Sequence, residues 1–191
     1  MRKKEKTLSC PSLHHEIYLG PDEIRTCCKR FFVQGEKRGD VVLKKVHPNE
    51  EITPEKILKE KQRLFKKINS GEENDCDGCP FLESKEWDEL DELSIKHISF
   101  EYHSVCNMKC TYCSDVYYGG KKPNYDLKKI LKEFTDNNCF SKTVDVAWGG
   151  GEPLLLENFE TLITDLTNKI KPYSNMIYSN AIKYSKVIEN F

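Results

Sequence analysis

Long hydrophobic runs are missing from this sequence. The longest apolar stretches are only a few residues, so no segment reads as a membrane span. One-sided charge is missing too. Lys and Arg number 30 against 31 Asp and Glu, a formal net charge of -1, so no global field draws the chain to nucleic acid or to a membrane surface. No apolar signal core follows the basic Met1-Arg2-Lys3-Lys4-Glu5-Lys6, and a cytoplasmic protein is expected. Histidine is sparse. His14, His15, His47, His97 and His103 show no metal spacing with one another, and His103 reads as a surface or supporting group.

Cysteine, by contrast, is plentiful: nine in 191 residues. In a reducing compartment these are not expected to pair as disulfides, and an odd count argues against a simple disulfide framework. Ligation of a metal or a cluster is the economical reading. Hydrophobic residues at 38% and charged residues at 32% describe a soluble globular chain, long enough for one domain of usual size or two small ones.

Three of the cysteines fall in Cys106-Asn107-Met108-Lys109-Cys110-Thr111-Tyr112-Cys113, just after the apolar run Ile95 to Tyr102. Soft thiolates favour iron–sulfur clusters, zinc and Cu(I). A structural zinc site is closed by four protein ligands. Three local cysteines with no fourth nearby suggest a centre with one position left open. Downstream lies Trp148-Gly149-Gly150-Gly151-Glu152-Pro153-Leu154-Leu155, a glycine-rich break between an apolar run and a helical pattern. By itself it reads as a strand-to-helix turn that needs glycine for its geometry.

Together the two stretches resemble the radical S-adenosylmethionine (SAM) superfamily. Cys106, Cys110 and Cys113 match its cluster motif, and Gly150-Gly151-Glu152-Pro153 matches its SAM-binding motif. The resemblance implies a [4Fe–4S] cluster on the three cysteines, with SAM filling the fourth iron. It implies reductive cleavage of SAM to methionine and a 5′-deoxyadenosyl radical, which takes a hydrogen atom from a substrate, a peptide or a small molecule. An electron donor such as flavodoxin or ferredoxin is implied as a partner. Gly150 and Gly151 would allow close backbone approach, and Glu152 would hold the amino group of SAM. Tyr112 stands where the family has an aromatic near adenine, and core packing would explain it equally well. Ser179 and Asn180 end the third expected strand, as SAM contacts or as an ordinary helix cap.

The organisation follows from patterning. Residues 93–191 alternate strands with helices: Ile95 to Tyr102, a helix from Asp126 to Asn137, a strand from Thr143 to Trp148, a helix through Phe159, Leu162, Ile163, Leu166 and Ile170, and a strand from Asn175 to Ser179. Such alternation means a parallel sheet whose ligands sit at the carboxyl ends of its strands, where both motifs fall. Residues 1–92 form a smaller cysteine-rich segment. His15 to Leu19 and Ile24 to Val33 read as a β-hairpin around Gly20-Pro21-Asp22-Glu23, with Cys27 and Cys28 on the second strand and so on opposite faces. Val41 to Leu43 reads as a short strand. Thr53-Pro54 opens a helix with Ile57, Leu58, Leu64, Phe65 and Ile68 on one face and a stop at Gly71. Glu83 to Glu92 reads as a linker or short helix, with Trp87 packed.

This front segment is similar to the SPASM and twitch auxiliary-cluster segments of radical SAM enzymes. That likeness offers Cys10, Cys27, Cys76 and Cys79 as four ligands of an auxiliary iron–sulfur cluster, with Cys28 as the substitute for Cys27; the same four would also suit zinc. Cys139 reads as a small buried residue. The expected fold is therefore α/β: a partial, truncated radical SAM (β/α) barrel behind a small α+β cysteine-rich segment. Only about three of the barrel's six units are present, so a fragment of a longer enzyme, or completion by a second chain, is expected. A non-catalytic iron–sulfur module and a zinc-binding module are the rival functions.

Overall fold

The computed structural model describes residues 5–113, 119–183 and 185–189. Its centre is a sheet of six strands in the order β10-β9-β8-β2-β3-β6. The strands are β2 (Glu16–Leu19), β3 (Glu23–Arg25), β6 (Val42–Lys45), β8 (Ile95–Phe100), β9 (Phe140–Trp148) and β10 (Ser174–Ile177). From β2 through β8 and β9 to β10 the pairing is parallel, whereas β2–β3 and β3–β6 are antiparallel. Helix α3 (Leu127–Asp136) crosses from β8 to β9, and α4 (Phe159–Ile170) crosses from β9 to β10.

Each crossover helix carries its own start signal and apolar stripe. Asp126 caps α3, its side chain accepting from the backbone N–H groups of Lys128 and Lys129. Leu127, Ile130, Leu131 and Phe134 are buried beneath it, and Phe159, Leu162, Ile163 and Leu166 beneath α4. They pack on Ile95, Ile98, Phe100, Val144, Val146 and Trp148 in one continuous core. Phe100 and Trp148, paired across the β8–β9 ladder, stack with ring centroids 4.2 Å apart.

The front segment shares this sheet. Ile17 and Leu19 of β2 are wholly buried in the same core, in register with Ile98 and Phe100 of β8. The helix α2 (Pro54–Ser70) begins at Thr53 and Pro54 and ends at Gly71, as its signals require. The expected hairpin strand from Ile24 to Val33 is broken in two. Its first part, β3, ends at Arg25 after a register shift against β6. Thr26 then turns the chain, donating its backbone N–H to the Val41 carbonyl and its hydroxyl to the Ser12 carbonyl. The second part, β4 (Arg30–Val33), pairs instead with β5 (Glu36–Gly39). Cys27 and Cys28 therefore lie in a loop rather than on a strand, Cys27 buried and Cys28 exposed. The stretch from Glu83 is also not helical. Glu83–Lys85 forms β7 and pairs antiparallel with β1 (Thr7–Ser9). Among the described residues no helix is long and apolar enough to cross a membrane.

Candidate cluster and cofactor site

The three motif cysteines sit beyond the carboxyl end of β8, an inner strand of the parallel part of the sheet. The loop that carries them is anchored at both ends. Glu101 donates its N–H to the Leu19 carbonyl, 2.9 Å, continuing the β2–β8 ladder. Ser104 is buried and bridges to Lys121: its N–H reaches the Lys121 carbonyl at 3.0 Å, and its hydroxyl accepts from the Lys121 N–H at 2.7 Å. Between these anchors Cys106, Cys110 and Cys113 are half-exposed, and the Cys113 N–H turns back onto the Cys110 carbonyl at 3.1 Å. Partial desolvation, then the Cys110 and Cys106 thiols beside it, raises the Cys113 pKa. Half-exposed thiols on an anchored loop could hold a metal or cluster within reach of solvent.

The glycine run is stitched to this loop. After Trp148 the backbone continues the β8–β9 register: Gly149 N–H to the Phe100 carbonyl, Gly151 N–H to His103, Glu152 N–H to Val105, at 2.9, 2.8 and 2.9 Å. The approach leaves no room for side chains. A Cβ on Gly150, whose φ is +89°, would lie 2.7 Å from the His103 carbonyl oxygen, and one on Gly151 would lie 2.3 Å from that of Val105. Glycine is therefore demanded here by backbone packing against the cysteine loop itself.

Glu152 is the knot of the site. It is 1% exposed and caps the short 3-10 turn Pro153–Leu155. Its Oε1 accepts from the Leu154 N–H at 3.1 Å and the Ser179 hydroxyl at 2.8 Å, and its Oε2 accepts from the Asn180 N–H at 2.8 Å. Asn180 passes the connection on, its Nδ2 donating to Asn107 Oδ1 at 2.8 Å and to Cys106 Sγ at 3.9 Å. One carboxylate thus joins the glycine run, the end of β10 and the first cysteine. Ser179 and Asn180 are held by Glu152, not left as a simple helix cap. Tyr112 is 88% exposed, so core packing does not explain it. His103 is buried, not a surface group; its Nε2 finds no hydrogen-bond partner among the described residues, and burial lowers its pKa.

Four of the other six cysteines converge on a second place. Cys10, Cys27, Cys76 and Cys79 line one small cavity with Val41, Phe31 and Leu82. Cys10 caps the short helix α1 (Pro11–His15), its Sγ accepting from the Leu13 N–H at 3.4 Å. The Cys79 N–H closes a turn on the Cys76 carbonyl at 3.0 Å. Burial raises the thiols of Cys10 and Cys27, and burial with the neighbouring cysteines pushes Cys76 up to about 12. Thiols so raised stay protonated until a metal displaces the protons. Among the described residues no three His, Cys, Asp or Glu side chains close on a point where a single ion would sit. Cys28 is exposed, and Cys139 is buried in the main core just before β9.

Two residues escaped the sequence reading. Lys61 is wholly buried on the apolar face of α2, four residues after Ile57 and three before Leu64. Helical spacing alone could have placed it there. Arg25 is buried at the end of β3 and pairs with Glu101, Glu23 and Asp40 while lying 5.9 Å from the Tyr18 ring. It ties the strand leading to Cys27 to the strand leading to Cys106, a contact that no local pattern signals.

No curated protein and no solved structure matches the chain. Residues 100–191, the stretch that holds the three loop cysteines, the glycine run and the end of β10, match the family model of the radical SAM superfamily.

Proposed function

We propose that this chain acts as a radical SAM enzyme, or as the amino-terminal part of one, with an auxiliary cluster site in its front segment. The family match over residues 100–191 supports radical SAM-type chemistry. The observation that carries the reading is the hydrogen-bonded knot of Glu152, Ser179 and Asn180 against the cysteine loop. It brings the cluster motif and the SAM motif to one rim of the sheet, at the carboxyl ends of its strands, where α/β sheets bind ligands.

In this reading Cys106, Cys110 and Cys113 hold three irons of a [4Fe–4S] cluster. Bound there, the cluster would supply the electron for cleavage of SAM. The chain's own residues position SAM. The backbone edge at Gly150 and Gly151, with the Glu152 carboxylate, would hold the amino group of the methionine end. Pro153 starts the turn that fixes the glutamate, and the exposed Tyr112 ring is free to meet adenine. Cys10, Cys27, Cys76 and Cys79 hold the auxiliary cluster. Residues 1–92 and 93–191 divide by function, one segment for each cluster, while sharing a sheet. A soluble electron carrier supplies the reductant, and a peptide or small molecule supplies the hydrogen atom. Met176, Tyr178 and Ile182 are exposed along and beyond β10, an edge strand among the described residues, and suit completion by a second chain or a longer one.

Anaerobic reconstitution tests the reading. About eight irons with eight sulfides per chain are expected, four per cubane, and reduction in the presence of SAM should yield 5′-deoxyadenosine. Cys110→Ala should abolish that product and Cys139→Ala should leave it. Zinc without visible absorption, or clusters without SAM cleavage, would select the two rival functions.

A further inference from the structure

We propose that Lys61 is the built-in counter-ion of the four-cysteine site. The inference rests on the reading of Cys10, Cys27, Cys76 and Cys79 as one ligand set. Four thiolates around either a [4Fe–4S] core or a zinc ion leave a doubly anionic centre inside the protein. A buried anion of that size needs positive charge close by.

Lys61 supplies it. The side chain is 0% exposed, and its ammonium donates to the Leu13 carbonyl at 2.8 Å, the Glu16 carbonyl at 2.9 Å and the Thr26 hydroxyl at 3.1 Å. All three donors are used, and every acceptor is neutral. No carboxylate stands within ion-pair distance of it among the described residues; the Glu16 carboxylate nearby is bonded by Tyr18 at 3.0 Å and faces Lys29 at 4.0 Å. The acceptors lead directly to the cysteines. Leu13 is in the helix that Cys10 caps, and Thr26 precedes Cys27. After Glu16, the titratable groups whose charge would reach Lys61 are Cys10 and Cys27, thiols that loading converts to thiolates. Lys29, on the cavity wall and bonded to Ser12 Oγ at 2.7 Å, adds a second positive charge, but it is partly exposed and screened by water. An empty site therefore holds a cation whose burial is costly, and loading gives that cation its partner. Burial drives the empty-state pKa of Lys61 down to about 7, which is the strain that the loaded site would relieve.

The test uses the full chain with Cys106, Cys110 and Cys113 all changed to Ala, so that only the four-cysteine site loads. Lys61→Met removes the charge. Lys61→Gln removes the charge but keeps two donors for the carbonyls. Thr26→Val perturbs the same pocket and keeps the charge. The expected result is a fall of about tenfold or more in Cd²⁺ affinity, read from thiolate charge-transfer absorption, in both neutral variants and not in Thr26→Val. The reconstituted cluster should become harder to reduce by a similar factor, about 59 mV per tenfold for one electron. Unchanged affinity and potential in a folded neutral variant would overturn the proposal while leaving the ligand set intact. So would loss of the empty fold in both neutral variants, which would make Lys61 a structural strut. A Lys61-containing parent that holds neither Cd²⁺ nor iron would instead remove the ligand set itself, and the proposal with it.

Discussion

Single side chains do the joining in this molecule, and Glu152 is the clearest case. Its two oxygens accept three donors from two segments, so an amide in its place must turn an NH₂ toward a backbone N–H at Leu154 or Asn180. Glu152→Gln should cost on the order of 1–3 kcal/mol, read by denaturant unfolding, together with faster amide exchange at Asn180. Unchanged stability would show that the knot is not tight. His14 gives a second prediction at this scale. Its ring is buried against Trp87, 4.9 Å between centroids, with Nε2 3.0 Å from Ser9 Oγ. Burial, then His15 and Lys61, lowers its pKa from 6.5 to about 4. The unfolded chain therefore takes up a proton at a pH where the folded chain does not. The stability is fully present above pH 6.5 and is lost as pH falls toward 4. The loss should be on the order of 1–3 kcal/mol. Half-buried His15, lowered in the same direction by desolvation, adds to it. Thermal melts across that window should slope less in His14→Gln than in the parent.

At the scale of elements, local signals and tertiary demands can be separated. Helices α2 and α3 begin and end where their caps say: Thr53 with Pro54 and Gly71 for one, Asp126 and Asn137 for the other. Asp126→Ala removes an acceptor from Lys128 and Lys129 and should cost about 1 kcal/mol, measured by thermal unfolding, with little change at the distant four-cysteine cavity. The second strand of the expected hairpin behaves differently. Its residues from Ile24 to Val33 carry strand formers at both ends, yet Thr26 is pulled out of line by Ser12 and Val41, partners that are 14 and 15 residues away. That bend turns Cys27 inward and leaves Cys28 outside. Propensity reads nearest neighbours, so it missed the bend.

For the whole molecule the decisive contact is β2 on β8. The parallel half of the sheet runs directly into the front segment, and Ile17, Leu19 and Ile24 contribute to the main core. A chain cut to residues 93–191 would bare the edge of β8 and the apolar surface those residues cover. It should therefore aggregate or remain unfolded, whereas in the full chain the amides of residues 16–19 should exchange as slowly as those of 95–100. A soluble, cooperatively melting fragment, or fast exchange across 16–19, would contradict this. The Arg25–Glu101 pair lies on the same joint, so the two cysteine loops are held on one rigid support.

The cysteine spacings, the glycine run, the two crossover helices and the parallel run of the strands they join were determined by sequence alone. Each rests on short-range rules: ligand spacing, backbone sterics, capping and periodicity. Tertiary structure decided the rest. It turned Cys27 inward and left Cys28 exposed, buried Lys61 among neutral acceptors, gave Glu152 its three donors and laid β2 against β8. These depend on which distant surfaces meet in one core, and burial of charge or of a strand edge is a property of that meeting.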